Sequence, residues 1–486
     1  MSPNNGEELP ELPTGWKCVR INDVCEVNPL IGLPDTLTED TCISFIPMSA
    51  VDEYSGTIKR FDNRPIRDIW NGYKRFAEGD VLFARITPCM ENGKAAIARG
   101  LTNKLGTGST EFHVLRPSSG MIPEYIFHFI RQPSFRDDAQ MNMTGTAGQL
   151  RVPKSFMEEY PLPLPPLPEQ RRIVAKIESL FQEVKTARES LSRIQPMLKS
   201  FRQSVLAKAF RGELVPQNPE DEPASVLLER IKTERRKAQG KKYKELEAVD
   251  AAGLPELPAG WEWTPLDNVI HGIQYGTSDK AGDKETALPV LRMNNIQDGE
   301  LDYSNMKFLD DSIDYSQFLL NDGDLLFNRT NSPELVGKTA IFRSSKSPFK
   351  NVVFASYLIR IISNDRAFLP ILANLFINSA GGHRYIEQVR TQQVGQSNVN
   401  STKLRVMPVP LPPLPEQRRI VAKIEELFAI ADQIEQQAEA AKKRTDRMEQ
   451  AILAKAFRGE LVAQDPSDEP ASVLLERIKG EKGRKK

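Results

Sequence analysis

Apolar residues at Ile173, Ile177, Leu180, Val184 and Leu191, and again at Ile420, Ile424, Leu427, Ile434 and Ile452, fall on a repeat that alternates steps of four and three. Charged and polar residues occupy the positions between them. The pattern predicts a long amphipathic helix in each half of the chain, with the narrow apolar seam of a coiled coil. The ends are marked as well: Pro168 and Pro415 suit a first helical turn, and Gly212 and Gly459 suit a C-terminal cap. About 44 residues at 1.5 Å each make a rod of roughly 66 Å. Such a rod leaves its seam open, and its nearest mate is its own duplicate, paired antiparallel. Pro196 stands where the second copy has Lys443, which predicts a kink or break in the first helix only.

The duplication extends through the whole chain. Residues 163–178 recur without change as 410–425, 206–215 as 453–462, and 221–232 as 468–479. The modules before these segments, 14–160 and 259–407, share only landmarks. Gly79-Asp-Val-Leu-Phe answers to Gly323-Asp-Leu-Leu-Phe, Gly93-Lys94 to Gly337-Lys338, and Gly148-Gln149 to Gly395-Gln396. Short β-like runs at 80–86, 111–115, 324–327 and 352–362 alternate with helical patches at 123–131 and 368–379, which favours an α+β module. The Pro-x-x-Pro runs at 161–168 and 408–415 read as stiff connectors. The segment 221–232, with Val226, Leu227 and Ile231 at helical spacing, reads as a short amphipathic helix, followed by a charged linker at 233–253. The resulting division is 1–160, first variable module; 161–258, first helical region and linker; 259–407, second module; 408–486, second helical region and tail. One part of each repeat does the same thing twice, and the other is free to differ. The fold class is therefore α+β: two modules separated by two long antiparallel coiled-coil helices in a pseudo-two-fold tandem repeat.

Composition narrows the function. The chain has 486 residues, 65 basic and 65 acidic, so no global charge argues for nucleic acid. Neither module is net basic; the basic excess lies in 169–248. The four cysteines show no metal or disulfide spacing, consistent with free thiols in a reducing compartment. No apolar run reaches a membrane-spanning length, and the acidic start is unlike a signal peptide, so a cytoplasmic protein without a membrane segment is expected. Gly337-Lys338-Thr339 lacks the upstream glycine of a phosphate loop. His113, His128, His271 and His383 are dispersed, and no nucleophile elbow is present. The expectation is a protein with no catalytic residues, no metal ligands and no cofactor of its own.

The variable modules, each followed by Leu-Pro-Pro-Leu-Pro-Glu-Gln-Arg-Arg-Ile-Val-Ala-Lys-Ile-Glu and then Leu-Ala-Lys-Ala-Phe-Arg-Gly-Glu-Leu, resemble the DNA specificity (S) subunit of type I restriction-modification systems. The resemblance spans essentially the full chain. It implies two target recognition domains reading the halves of a bipartite site in double-stranded DNA, with the helices fixing the gap. It also implies two methyltransferase (M) subunits and two restriction/translocase (R) subunits as partners, with S-adenosylmethionine, ATP and Mg2+ held by those partners. Candidate DNA-contacting residues are Arg85, Thr87 and Lys94 with Arg329, Asn331 and Lys338, from loops that follow a shared strand and then diverge. The same loops admit a second reading in which the two arginines cap the strand. Gln149 and Arg151, with Gln396 and Asn398, suit phosphate contact or loop support. A rival from another class is a non-catalytic coiled-coil adaptor that binds proteins and never DNA. It accounts for the helices but not for two modules that share a skeleton and differ in surface.

Overall fold

A computed structural model describes residues 12–59, 61–146, 148–240, 243–283, 288–310, 312–393 and 396–484. Gly395, part of one predicted landmark, lies outside the described residues, as do the last two lysines. Two compact units are formed: the chain up to Ser192 together with Glu439 onward, and Arg193–Ala438. Each unit combines one variable module, the helix segment that follows it, and a helix segment from the other repeat.

The continuously apolar run after each Gly-Asp landmark becomes the middle strand of a four-stranded antiparallel sheet. In the first unit the order is Cys25–Val27, Phe112–Pro117, Val81–Ala84, Ala95–Ile97; in the second it is Ile270–Tyr275, Leu358–Ser363, Leu325–Asn328, Thr339–Ile341. A strand covered on both faces has no polar alternation. Val81 and Phe83 join Tyr125 and Phe129 in one core, whereas Leu82 points to the opposite core with Ile46 and Phe76. Leu325 and Phe327 are likewise separated from Leu326. A second small sheet lies behind each. It has four strands in the first unit (Asp62–Pro65, Cys42–Ile46, Leu105–Gly108, Lys74–Ala77) and three in the second (Lys307–Leu309, Leu288–Leu291, Val353–Phe354). The predicted run at 352–362 is thus two strands belonging to different sheets.

The landmarks are structural. Asp80 accepts both Nε and Nη2 of Arg116, at 2.8 and 2.6 Å, and Asp324 pairs with Arg360 at 2.5 Å. Each also caps the turn before its strand, taking the backbone N–H of Ala77 or Asn321. Gly93 and Gly337 adopt left-handed φ values of +77° and +89°. Both Gly-Lys turns are thus held to glycine by conformation, and the second also by space, since a Cβ on Gly337 would come within 2.5 Å of Ile386 Cδ1.

Each long helix begins where predicted, at Leu167 and Leu414. The second runs unbroken over Leu414–Phe457, while the first stops at Ser192 and resumes as Ile194–Phe210. Ser192 is the residue whose carbonyl Pro196 cannot bond and whose space the proline ring invades, so the break falls four residues before the proline. Both helices end in a Schellman turn: Glu213 N–H bonds Lys208 O at 2.9 Å, and Glu460 bonds Lys455 at 2.9 Å, around Gly212 and Gly459. Ile173, Ile177, Val184, Ile420, Ile424 and Ile452 are buried, and Leu180, Leu191 and Leu427 are half-buried. Ile434 departs from the expected seam and is 41% exposed, because the seam beside it is made of Ala431 and Ala438, too small to cover a neighbour. In the amphipathic segment the helix is Ala224–Gln239, which absorbs the start of the expected linker. It buries Leu227, Leu228 and Ile231 but leaves Val226 exposed, since three residues at 3.6 per turn define the face and Val226 lies off it. The Pro-x-x-Pro runs supply short strands, Pro161–Leu164 and Pro408–Leu411, that pair with Lys17–Arg20 and Glu262–Pro265.

Removing one partner of a buried ion pair leaves a desolvated charge, a loss of about 3–5 kcal/mol. Arg360 and Asp324 are both buried, so Asp324→Ala is expected to lower unfolding free energy by that order, checked by urea denaturation.

Candidate nucleic-acid interface

The strand Val81–Ala84 runs into Arg85, and the chain there meets a hairpin more than sixty residues away. Val152 N–H bonds Arg85 O at 2.8 Å and Thr87 N–H bonds Leu150 O at 3.1 Å. The hairpin itself pairs Thr144–Thr146 with Gln149–Arg151. Thr144, Gly145, Thr146, Gly148 and Gln149 are exposed. The second unit repeats the arrangement: Thr330–Asn331 pairs with Gln396–Asn398, which pairs with Thr391–Gln393, and Val399 N–H bonds Arg329 O at 2.9 Å. Arg85, Thr87, Gln149 and Arg151 are therefore brought together, as are Arg329, Asn331, Gln396 and Asn398. Lys94 and Lys338 sit one step back, their carbonyls accepting from Ala84 and Asn328 at 2.9 and 2.8 Å.

The two arginines are held differently. Arg85 Nε lies 3.2 Å from Glu111 Oε2, and Arg151 closes on the same carboxylate through Nη2 at 2.8 Å. The Arg151 guanidinium, then Arg85, hold the Glu111 carboxyl below its ordinary range despite partial burial. Ion pairs this exposed contribute about 0.2–1 kcal/mol each, enough to orient the arginines without locking them. Arg329 instead stacks over the Tyr275 ring at 4.8 Å, and its Nε is buried without a hydrogen-bond partner among the described residues. Asn398 Nδ2 donates to Thr330 Oγ1 at 2.8 Å, and Asn331 Oδ1 accepts the Ser332 N–H at 2.8 Å.

Around the first hairpin stands a group that the linear sequence disperses. Lys74, from the second sheet, has its pKa lowered by burial and by the nearby Arg85 and Lys154 cations. Lys74 thus stands near Arg85 and Lys154; Arg85 shares Glu111 with Arg151, while Lys154 pairs with Glu158 at 3.0 Å, in a chain of zero net charge. Behind them His113 is fully buried; burial lowers its pKa to about 4, only partly opposed by the Val152 carbonyl and reinforced by the same cations. The ring is neutral at physiological pH. Nε2–H donates to Val152 O at 2.8 Å, and Nδ1 accepts from Asn28 Nδ2 at 3.0 Å, which pins the root of the hairpin to the sheet. Sequence reading missed Lys74, His113, Lys154 and Tyr275, which reach this place from separate elements and carry no motif.

Thr339, the hydroxyl of the Gly-Lys-Thr sequence, is buried on a strand and donates to Gly337 O at 3.1 Å. The four cysteines are free thiols. Among the described residues no group of three His, Cys, Asp or Glu is placed to hold a metal ion, and no helix is long and apolar enough to cross a membrane.

Residues 13–195 and 258–442 match the family described as "Type I restriction modification DNA specificity domain", so both repeats are covered and each match spans module and helix. The chain belongs to the type I restriction-modification specificity-subunit family. It is 31% identical over 492 residues to the type I restriction enzyme EcoEI specificity subunit of Escherichia coli, covering 89% of this chain and 80% of that protein. It is 31% identical over 490 residues to the EcoAI specificity subunit of the same species, covering 90% and 81%. In fold it is similar to the HsdS subunit from Thermoanaerobacter tengcongensis, with a TM-score of 0.63 and 23% identity over 93% of this chain and 98% of that one. In this specificity subunit the polar hairpin pinned to the strand end is a feature common to both modules, keeping a Gly-Gln pair while most of the residues around it differ.

His113 carries a pH dependence. Its pKa falls from 6.5 in the unfolded chain to about 4 in the fold, so the unfolded state takes up the proton first and stability drops as pH falls from about 6.5 towards 4. By about pH 5 this one group accounts for a loss of about 2 kcal/mol. A His113→Gln variant is expected to show a shallower decline between pH 7 and pH 5 in urea titrations.

Proposed function

We propose that this chain is the non-catalytic, sequence-reading subunit of a type I restriction-modification complex. The module within 1–160 reads one half of a bipartite site in double-stranded DNA, and the module 259–407 reads the other. The observation that carries this reading is the paired arrangement of Arg85, Thr87, Gln149 and Arg151 in one unit and Arg329, Asn331, Gln396 and Asn398 in the other. Each is a polar hairpin set beside a guanidinium at the end of a buried strand. An arginine presented by a rigid strand end suits bidentate contact with a guanine edge, and the exposed Gln149 amide in the first unit suits phosphate, whereas the Thr87 hydroxyl is buried. Lys74, Lys94, Lys154 and Lys338 add sequence-independent attraction to the backbone.

The reading places two methyltransferase subunits on the chain's invariant helical segments and adds two restriction/translocase subunits in the restricting complex. S-adenosylmethionine, ATP and Mg2+ belong to those partners, and the complex works on DNA in the cytoplasm. The chain itself supplies position: it holds the partner that methylates at a fixed register from the bases read.

Mapping N6-methyladenine across the genome, with and without this gene and with the partner subunits expressed, tests the proposal. A split motif of fixed gap present only with the intact gene is expected. No gene-dependent mark would overturn it. Arg329→Ala is expected to relax preference within the second half-site, by about 1–3 kcal/mol in competition binding, while the first half-site is unchanged. An unaltered second half-site would reassign Arg329 to support of the strand.

A further inference from the structure

The two long helices are identical at their starts and ends but carry opposite charge at four of the positions between. Lys185, Arg188, Lys199 and Arg202 of the first repeat stand at the positions of Asp432, Glu435, Asp446 and Glu449 of the second, each 247 residues on. All four differences are basic to acidic, and all run in the same direction. The ion pairs follow them. In the first unit Arg188 Nη1 bonds Glu449 Oε1 at 2.7 Å, and its Nε lies 3.4 Å from Asp446. In the second unit Arg202 Nη2 bonds Asp432 at 2.6 Å and Glu435 at 2.8 Å. The Arg188–Glu449 pair and the Arg202–Glu435 pair are the same contact related by the repeat, with its polarity exchanged. Lys185 and Lys199 are exposed and unpaired among the described residues, so Arg188 and Arg202 carry the contact; other charged side chains on these segments, such as Glu183, Glu189, Lys442 and Arg447, are exposed as well.

We propose that this exchange makes the helices a heterospecific pair: the first-repeat helix accepts a second-repeat helix and rejects another first-repeat helix. The apolar seam alone would not discriminate, because Ile173 and Ile177 are matched by Ile420 and Ile424 and the flanking sequence is identical. If two first-repeat helices met in this register, Arg188 would face Lys199 and Arg202 of the other copy. Two second-repeat helices would set Glu435 against Asp446 and Glu449. Both homotypic pairings place like charges together, whereas the pairing within one chain gives both Arg188 and Arg202 acidic partners. The surface therefore selects its mate by charge, and the fitting partner is a second-repeat helix, from the same chain or from a second copy. This inference is independent of what the variable modules bind.

The test uses the full chain in three forms: R188E/R202E, E435R/E449R, and all four changes together. At about 0.05 M salt each two-residue variant is expected to melt on the order of 5 °C below the parent, and the four-residue variant to return to within about 2 °C. Raising salt to about 1 M should shrink the deficit of the two-residue variants, since screening removes the repulsion. Refolded together in equal amounts, R188E/R202E and E435R/E449R are each mismatched internally but complementary to one another. Light scattering should find a species with the mass of two chains in the mixture and one chain in each variant alone. Parent-like melting of either two-residue variant at low salt, failure of the four-residue variant to recover, or an absence of the two-chain species in the mixture would each overturn the proposal.

Discussion

Everything in each unit hangs on a buried carboxylate that meets an indole. Glu169 is 1% exposed and accepts Trp16 Nε1 at 2.9 Å; Glu416 is 1% exposed and accepts Trp261 Nε1 at 3.0 Å. Burial raises both carboxyls above their ordinary range, against the pull of the indole and a nearby arginine. Such a group is tolerable only because it sits in the first turn of a helix, where free N–H groups and the helix dipole favour an acceptor. The next residue completes the joint. Gln170 takes the Ile122 N–H and donates to Pro165 O, while Gln417 takes the Leu369 N–H and donates to Pro412 O. The Pro-Glu-Gln sequence is therefore the hinge pin between a variable module and its helix, and its identity in the two repeats follows from that shared geometry.

The opposite end of each helix serves the other repeat's module. A Cβ on Gly212 would come within 2.2 Å of Pro258 Cγ, and one on Gly459 within 2.2 Å of Pro13 Cγ. Ala224 N–H bonds Gly260 O at 2.8 Å, and Ala471 N–H bonds Gly15 O at 2.9 Å. The Pro-x-Gly-Trp entry to each module thus rests in a socket built from the helix end and the amphipathic helix of the partner repeat. A socket that must fit two modules alike tolerates little change on either side. The surface beyond the socket has no such double duty, which is why divergence is concentrated there.

This division explains what was legible in the sequence. Periodicity exposed the long helices, Pro196 exposed the break in one of them, and the glycines exposed the caps, because each of these is a local rule of backbone geometry. The strand at Val81–Ala84 was visible as an apolar run, but its neighbours were not, since sheet order depends on contacts between distant segments. The same limit applied to the candidate site. Arg85 and Arg151 were each readable as candidates, but the single Glu111 that orients both was not, and nothing in the linear order placed Lys74 or Lys154 beside them. Ile434 failed for a subtler reason: the seam predicts which residues face inward, not whether small partners such as Ala431 and Ala438 can cover them.

Zero net charge, which at first offered nothing in favour of nucleic acid, is the sum of unlike regions. Basic side chains gather at the first hairpin and along the first-repeat helix, whereas acids and bases balance along the second-repeat helix. A charge total measures solubility and long-range steering, whereas recognition depends on where each charge is anchored. At the hairpin a buried neutral His113 and a shared carboxylate hold the cations in place; along the helices the cations are held by acids from the other repeat. In both places the fold converts a balanced composition into directed charge, and it does so with residues whose neighbours in space are far away in sequence.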